Sequence, residues 1–323
     1  MESDTQGKKS HGQSSWRRRP SSSSLPFAPP PGDTTNIVFP SRYGRHMSET
    51  SKRRKALSAT STKTWLQCPM KFRLTQVDGF KEPPSPATTR GTLVHAVLED
   101  LFDLPAQQRT AETASEMVEP LYEKTMAQDE HFLSLFEDDV LLDKWKEEVR
   151  ALVRQYFAME NPTRLEPYAR ERFVRVEITD QIAIHGFIDR IDKAPNGAIR
   201  VVDYKTGKSP QKRFEEDMLF QMRFYSLLLR NTDLGLPART QLVFLGDGRT
   251  LTLDPTPQSI EAFEHQLVSI WQDIETAAHR KLFPPKKQVL CNWCGVQNLC
   301  PLYSSNPPEI SEEGLERLLE IKG

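Results

Sequence analysis

Two acidic residues and a lysine near the middle of the chain have the types and spacing of a metal-assisted hydrolytic site. The segments GFIDRID and VVDYKTGK contain Asp189, Asp203 and Lys205. Carboxylate oxygens bind Mg²⁺ or Mn²⁺, and such ions make hydroxide at neutral pH and stabilise charge on a phosphate under attack. A lysine beside them can hold the attacking water and neutralise the charge of the transition state. The set predicts metal-dependent hydrolysis of a phosphodiester bond.

Both segments are rich in Val and Ile and are separated by the turn-like APNG, which predicts two adjacent strands with a β-hairpin connection. Alternate side chains of a strand share a face, so Asp203 and Lys205 point the same way and Tyr204 points to the other side. Asp192, at odd spacing from Asp189, is expected to be structural. The competing interpretation of the set is an ion pair without chemistry, either Asp189 with Lys205 or Arg190 with Asp203.

The elements that must position these residues follow from the hydrophobic periodicity, which is helical on both sides of a central region of alternating strands. Residues 111–160 are expected to be mostly helical. A mixed sheet flanked by helices is an α/β architecture. The predicted helices cover 61–74, 90–104, 143–160, 218–230 and 258–281, and the predicted strands cover 170–178, 182–192, 198–206, 239–246 and 249–253.

The charge is spread unevenly over the 323 residues. Residues 1–55 contain 11 Lys or Arg and 4 Asp or Glu, whereas the whole chain has a net charge of −1. This Ser-, Pro- and Arg-rich segment has the composition of a disordered tail. Met47 is also a plausible start, so 1–46 is either an over-extended gene prediction or a tail with loose affinity for nucleic acid. The expected domain spans 56–305, and a C-terminal tail with a short helix spans 306–323.

Composition also limits the cellular location. The 37 % hydrophobic content is sufficient for a core, but there is no apolar run long enough to span a membrane and no apolar segment typical of a signal peptide. A cytoplasmic protein without a membrane partner is expected. Four cysteines in a reducing compartment indicate metal ligands or free thiols more than disulfides.

Three further residues are placed by helical spacing where they could reach the acidic set. His95 lies among apolar residues of its helix, where a lone histidine is more often a core residue, although imidazole suits Mn²⁺ as a third donor. Gln221 and Tyr225 are four residues apart on one helical face. As an isolated pair they would usually be ordinary amphipathic packing.

The cysteines have a one-plus-three distribution. Cys291, Cys294 and Cys300 form C-x2-C-x5-C, and Cys68 lies far upstream. Four thiolates fit a structural zinc ion or an iron–sulfur cluster. Zinc sites usually draw their ligands in two close pairs, so the distribution favours a cluster, with zinc and then free thiols as the alternatives.

The ordered motifs RGTLVHAVLE, GFIDRID, VVDYKTGK and QMRFY resemble the RecB-type branch of the PD-(D/E)XK nuclease superfamily. This branch includes nuclease domains of bacterial recombination helicase-nucleases, CRISPR-associated single-strand exonucleases and AddB-type iron–sulfur nuclease domains. The resemblance covers about residues 58–302. It implies a restriction-endonuclease-like core, a helical insertion and a Cys cluster that joins the two ends of the domain.

The same resemblance implies roles for individual residues. His95, Asp189 and Asp203 match the ligands of Mg²⁺ or Mn²⁺, with the carbonyl of Tyr204 as a further ligand. Lys205 matches the catalytic lysine. Some members of the branch hold a [4Fe-4S] cluster with one cysteine before the core and three after it. The remaining matches are Gln221 and Tyr225, in the motif that follows the lysine, and the cluster ligands Cys68, Cys291, Cys294 and Cys300.

The expected function is that of a metal-dependent DNA exonuclease acting on single strands or DNA ends in recombination or repair. The segment TGKS at 206–209 is not a nucleotide-binding loop, because Val202 stands where that motif needs glycine. A motor, if there is one, would be a separate helicase chain. The alternative is a catalytically silent DNA-binding iron–sulfur partner of a helicase.

Overall fold

A five-stranded mixed sheet forms the centre of the computed structural model, which describes residues 56–127, 129–179 and 182–320. The strands are β1 (Ala169–Glu177), β2 (Ala183–Lys193), β3 (Ile199–Lys205), β4 (Arg239–Phe244) and β5 (Arg249–Leu253). Their order in the sheet is their order along the chain. Neighbouring strands are antiparallel except β3 and β4, which are parallel and are joined by a helical crossover.

Helices precede, interrupt and follow the sheet. The α-helices are α1 (Ala59–Gln67), α2 (Pro69–Phe72), α3 (Pro86–Leu101), α4 (Ala111–Glu116), α5 (Val118–Thr125), α6 (Glu130–Leu133), α7 (Asp139–Met159), α8 (Glu216–Arg230), α9 (Pro257–His279) and α10 (Glu312–Leu319). A π-helical turn covers Arg73–Val77, and 3₁₀ turns cover Ala106–Gln108, Pro162–Arg164, Lys212–Phe214, Val289–Trp293 and Gln297–Leu299.

Capping residues define where the longer helices begin. The Ser85 side chain accepts a hydrogen bond from the Thr88 amide at the start of α3, and Thr256 does the same for Ser259 at the start of α9. A proline follows each cap, where its fixed φ suits the first helical turn and its missing N–H costs nothing. These caps fix the register of α3, the helix that carries His95.

The helices cover both faces of the sheet and make two cores. On one face α1, α8 and α9 pack against β1, β2 and β3, and Phe224 and Trp271 are fully buried there. On the other face α3, α4, α5 and α7 pack against Val202 and Tyr204 of β3 and Val243 of β4. Each core removes a large apolar area from water, which is the main stabilising contribution to a fold of this size. The candidate site residues lie between these two cores.

Strands β1 and β2 change face part-way along their length. In β2, Ile188 and Ile191 both pack into the α8 core although their odd spacing would place them on opposite faces of a regular strand. In β1, Ala169 and Val174 show the same odd spacing. The change falls near Glu171, whose φ of 41° is left-handed. The hairpin is therefore distorted at the level of Asp189.

The predicted fold class is confirmed: the sheet is mixed, and helices cover it in an α/β arrangement. The connection through APNG is the predicted hairpin, in which Gly197 takes a φ of 84°. A single helix over 61–74 is wrong, because Cys68 is extended and Pro69 begins a second helix. Within the described ranges, no helix has the length and apolar character needed to cross a lipid bilayer. The prediction for residues 1–55 lies outside the described residues.

Candidate active site

The carboxylate of Asp189 accepts a backbone hydrogen bond from β3 just beyond the end of the ladder between β2 and β3. The ladder pairs end with Arg190 and Val202. Beyond this point the backbone N–H of Tyr204 donates a 2.8 Å hydrogen bond to Oδ2 of Asp189 instead of to a strand carbonyl. Asp189 is thereby fixed against β3, the strand that carries Asp203 and Lys205.

His95 reaches this point from α3. Its Nε2 lies 2.9 Å from the carbonyl oxygen of Tyr204, to which it donates, while its Nδ1 lies 3.4 Å from Asp189 Oδ2 and 3.8 Å from Glu171 Oε1. Burial alone would lower the pKa of His95, but the carboxylates of Asp189, Glu171 and Asp203 outweigh it and raise this pKa to about 9. The imidazole is therefore held by acidic neighbours and by a backbone carbonyl.

Glu171 is a functional candidate that the sequence reasoning missed. Its carboxylate, that of Asp189 and the ring of His95 each offer a ligand atom, and the three atoms lie within 4.8 Å of one another. Burial raises the pKa of Asp189 to about 7, with Asp203 and Glu171 adding to the effect. Oxygen and imidazole donors brought together in a partly buried position are a set that fits Mg²⁺ or Mn²⁺. No local sequence signal marks Glu171, because its position depends on the register of β1 against β2 and on its left-handed backbone.

Asp203 lies beside the group of His95, Glu171 and Asp189, in a second half of the site that it forms with Lys205, Gln221 and Tyr225. Its carboxylate is buried, with Oδ2 at 2.6 Å from the Lys205 ammonium and Oδ1 accepting hydrogen bonds from Gln221 Nε2 and from the Tyr225 hydroxyl, both at 3.1 Å. Gln221 also donates to the Tyr225 hydroxyl at 2.9 Å. The two α8 residues that share a helical face therefore reach the same carboxylate. Asp203 is electrostatically coupled to Asp189 but is not part of the 4.8 Å group.

A comparison with protein families matches residues 56–301 to the PD-(D/E)XK nuclease superfamily. The chain belongs to this superfamily. The match contains both halves of the site, from His95 on α3 to Tyr225 on α8. Members of the superfamily are nucleases that use divalent metal ions, and the acidic group around His95 is consistent with such an ion. A nuclease of the PD-(D/E)XK superfamily binds nucleic acid as its substrate.

Two individual proteins are similar to this superfamily member. The Gene 69 protein of Mycobacterium phage D29 is 24 % identical over 276 residues, which cover 76 % of this chain and 96 % of the phage protein. A solved structure titled "Crystal structure of SSO0001" aligns with a TM-score of 0.36 and 15 % identity, covering 80 % of this chain and 90 % of that one. The second likeness is too weak to support a statement about function.

Lys63 is a second residue near the superfamily site that the sequence reasoning missed. It lies on α1, and the pKa of its ammonium is lowered by burial and by the charge of Lys205, against opposing effects of Asp217 and Asp203. A second cation within electrostatic reach of Asp203 adds positive potential to the site of an anionic substrate. No sequence spacing links α1 with β3, so this proximity is purely tertiary.

The other charged residues of GFIDRID are structural. Arg190 is only 1 % exposed, and its guanidinium makes a two-pronged contact with Glu160 at 2.7 and 2.9 Å and a further bond with the Tyr204 hydroxyl. Asp192 pairs with Arg190 and Arg200. Asp192 therefore has the structural environment predicted for it, and Arg190 does not pair with Asp203. The network fixes Tyr204 from the face opposite the site.

The four cysteines line one cavity of about 190 Å³, together with Met70, Leu74 and Val296. The described residues contain no group of three cysteine sulfurs within 4.8 Å of one another. Residues from the segment after α1 and from the segment between α9 and α10 line this cavity together. The two segments are in contact, because the backbone N–H of Lys286 donates to the Cys68 sulfur at 3.5 Å. The two ends of the superfamily domain meet there.

Proposed function

We propose that this protein is a metal-dependent deoxyribonuclease of the RecB type that hydrolyses phosphodiester bonds of single-stranded DNA or of DNA ends. The observation that carries the proposal is the Lys205–Asp203 pair at 2.6 Å, directly beside the group of His95, Glu171 and Asp189. Membership of the PD-(D/E)XK superfamily supports phosphodiester hydrolysis. The order of the four sequence motifs supports the RecB branch and an exonuclease.

Lys205 acts as a cation in this proposal. Burial lowers its pKa, but the charges of Asp203 and Asp189 prevail and raise the pKa above its ordinary value. In the metal-free protein the ammonium therefore stays protonated at neutral pH. It can donate hydrogen bonds to a phosphate oxygen and to the attacking water, and it can neutralise the negative charge that develops on the phosphate.

Gln221 and Tyr225 hold the carboxylate of Asp203 in place. Burial and the neighbouring acids raise the pKa of Tyr225 well above its ordinary value, so its hydroxyl remains a hydrogen-bond donor. Two donors on Oδ1 orient Oδ2 towards Lys205. A carboxylate with its rotamer fixed in this way requires little reorganisation when substrate binds.

The divalent ion, Mg²⁺ or Mn²⁺, would be held by side chains of His95, Glu171, Asp189 and Asp203 and by the carbonyl of Tyr204. When bound, such an ion makes a nucleophile available at neutral pH and stabilises charge on the phosphate. His95, Asp189 and Tyr204 are already fixed to one another by the bonds described above. Three of the five proposed ligands are therefore already held next to one another.

The cysteine cavity supports a [4Fe-4S] cluster bound by Cys68, Cys291, Cys294 and Cys300 in preference to zinc. Zinc sites usually draw their ligands in two close pairs, whereas here one cysteine precedes the core and three follow it. The cavity of about 190 Å³ that all four cysteines line offers room for a group that spreads its ligands over several metal ions. The role of the cluster would be to join the two ends of the domain.

The nuclease proposal is tested by cleavage of end-labelled single- and double-stranded DNA with Mn²⁺ or Mg²⁺ by anaerobically purified protein. Lys205→Ala should lower the turnover by about 100-fold or more, the usual cost of losing a group that stabilises transition-state charge. Lys208→Ala, which removes an exposed lysine from the following loop, is the matched control. Equal turnover of Lys205→Ala and wild type would contradict the assignment. A folded, metal-loaded wild type that cleaves neither substrate would favour a binding role.

A further inference from the structure

Three consecutive cross-strand pairs lie along the β1–β2 hairpin, and the first of them belongs to the group of His95, Glu171 and Asp189. The register places same-face residues two apart along each strand, so neighbouring pairs are about 7 Å apart. The first pair supplies carboxylates, the second two aromatic rings and the third a cation with an imidazole. Phe173–Phe187 and Arg175–His185 are ladder pairs, and Glu171 lies opposite Asp189 between the ladder pairs Arg170–Arg190 and Arg172–Ile188.

The aromatic pair lies on the open side of the hairpin. Val174 of β1 and Ile184 and Ile188 of β2 pack into the α8 core, so the residues between them face the opposite side, from which His95 approaches. Phe173 is 46 % exposed and Phe187 is 36 % exposed. The ring centroids of these two residues are 5.0 Å apart. Within the described part of the chain, the helices that cover β3 and β4 on this face therefore leave both rings partly exposed.

A single exposed aromatic residue would need no explanation, but this arrangement has three linked features. The His185 ring lies 5.8 Å from that of Phe173, which extends the aromatic surface away from the metal group. Arg175 is the direct cross-strand neighbour of His185 and adds a positive charge at the far end. Bases stack on aromatic side chains regardless of their sequence, while cations attract the phosphates between them.

We propose that Phe173 and Phe187 form a stacking platform for unpaired bases of a DNA strand whose scissile phosphate lies at the Glu171–Asp189 pair, with Arg175 contacting the backbone. The inference rests on the proposed nuclease function and adds the strandedness of the substrate. A base inside a duplex has both faces covered by its neighbours, so the platform can bind only a single strand or a frayed end. It makes the single strand the preferred substrate.

The test measures DNA binding without cleavage, in EDTA, by fluorescence anisotropy of a labelled oligothymidylate. A second probe carries 2-aminopurine, whose fluorescence responds to stacking. The variant Phe173→Leu/Phe187→Leu keeps apolar side chains but removes both rings, and Phe173→Trp/Phe187→Trp restores stacking surfaces. Tyr168→Leu is the control, since Tyr168 is also 46 % exposed but lies beyond the other end of the hairpin, against Lys193.

The double leucine variant should bind the oligothymidylate at least about 5-fold more weakly and lose the 2-aminopurine response, since one stacked base contributes about 5-fold or more to affinity. The double tryptophan variant should recover both, and Tyr168→Leu should behave as wild type. Equal affinity of the leucine variant and wild type would overturn the platform, as would equal weakening by Tyr168→Leu. A change in self-association without a change in DNA affinity would assign the rings to an interface between copies.

The platform and the nuclease proposal can fail separately. If cleavage depends on Lys205 but DNA binding does not depend on the two rings, the nuclease proposal stands and the platform proposal is wrong. If DNA binding depends on the two rings but the wild type cleaves no DNA, the platform proposal stands and the nuclease proposal is wrong. Circular dichroism and thermal melting of each variant check that the exposed substitutions leave the fold unchanged.

Discussion

Glu171 lies directly opposite Asp189 across β1 and β2, between the ladder pairs Arg170–Arg190 and Arg172–Ile188, and its backbone is left-handed. A non-glycine residue in that conformation costs about 1–3 kcal/mol and persists where its surroundings fix it. The register is the same on both sides, so no residue is inserted. The distortion brings two carboxylates from adjacent strands to the ring of His95.

Glu171→Gln should weaken Mn²⁺ binding. The amide keeps the size of the side chain but removes one negative charge from the group around His95, and we expect roughly a 10-fold or greater loss of affinity. Isothermal titration calorimetry of the metal-free protein gives the affinity directly. Glu177→Gln changes an exposed residue of the same strand and is the control. If both variants bind Mn²⁺ as the wild type does, Glu171 is not a ligand.

Metal affinity should fall as the pH falls. The metal-free pKa values of Asp189 and His95 are raised to about 7 and about 9, so at neutral pH protons occupy groups that must release them to bind an ion. From about pH 8 to about pH 6 the loss should be about 10-fold if only Asp189 releases a proton, and about 1000-fold if His95 does as well. Titrations in buffers of different ionisation enthalpy count the protons. Affinity independent of pH would contradict this prediction.

Cys294→Ser should remove the proposed cluster and lower the melting temperature, because the cavity joins two distant segments of the chain. Iron and acid-labile sulfide are measured on anaerobically purified protein, together with zinc. Asn292→Ser, an exposed change between the two cysteines of the C-x2-C motif, should leave both quantities unchanged. Zinc without iron in the wild type would refute the cluster.

Arg190→Met should destabilise the fold more than Arg200→Met. Arg190 is almost completely buried between Glu160 and Asp192, and its loss leaves these two partly buried acids without their main partner, at a cost of about 3–5 kcal/mol. Arg200 contacts the same two acids but is about one-third exposed, so its loss should cost about 1 kcal/mol or less. Urea unfolding measures both values. Equal losses would show that burial does not decide the strength of these pairs.

Most elements could be predicted because their patterns are local. The β5 bounds match the prediction, and β1, β2 and β3 differ from it by one residue at each end, since alternating apolar residues define a strand. Glu171 could not be found in this way, because its role depends on the register between two strands and on a backbone distortion. The approach of Lys63 to Asp203 depends on the packing of α1. The break at Cys68 was visible in Pro69, which begins a helix more readily than it continues one.

The order of the strands has a consequence for synthesis. Each strand pairs with its neighbour in the chain, so the sheet and the acidic site can assemble once α9, which covers β1, β2 and β3, has left the ribosome. The contact between Cys68 and the segment at Lys286 spans 218 residues and needs a later part of the chain, as does the burial of Gly314 against the backbone of Val77. Because the chain emerges from its N-terminal side during synthesis, closure of the cysteine cavity must wait for these later segments. Iron bound in the proposed cluster would then report that synthesis has passed Cys300, whereas a folded sheet alone would not.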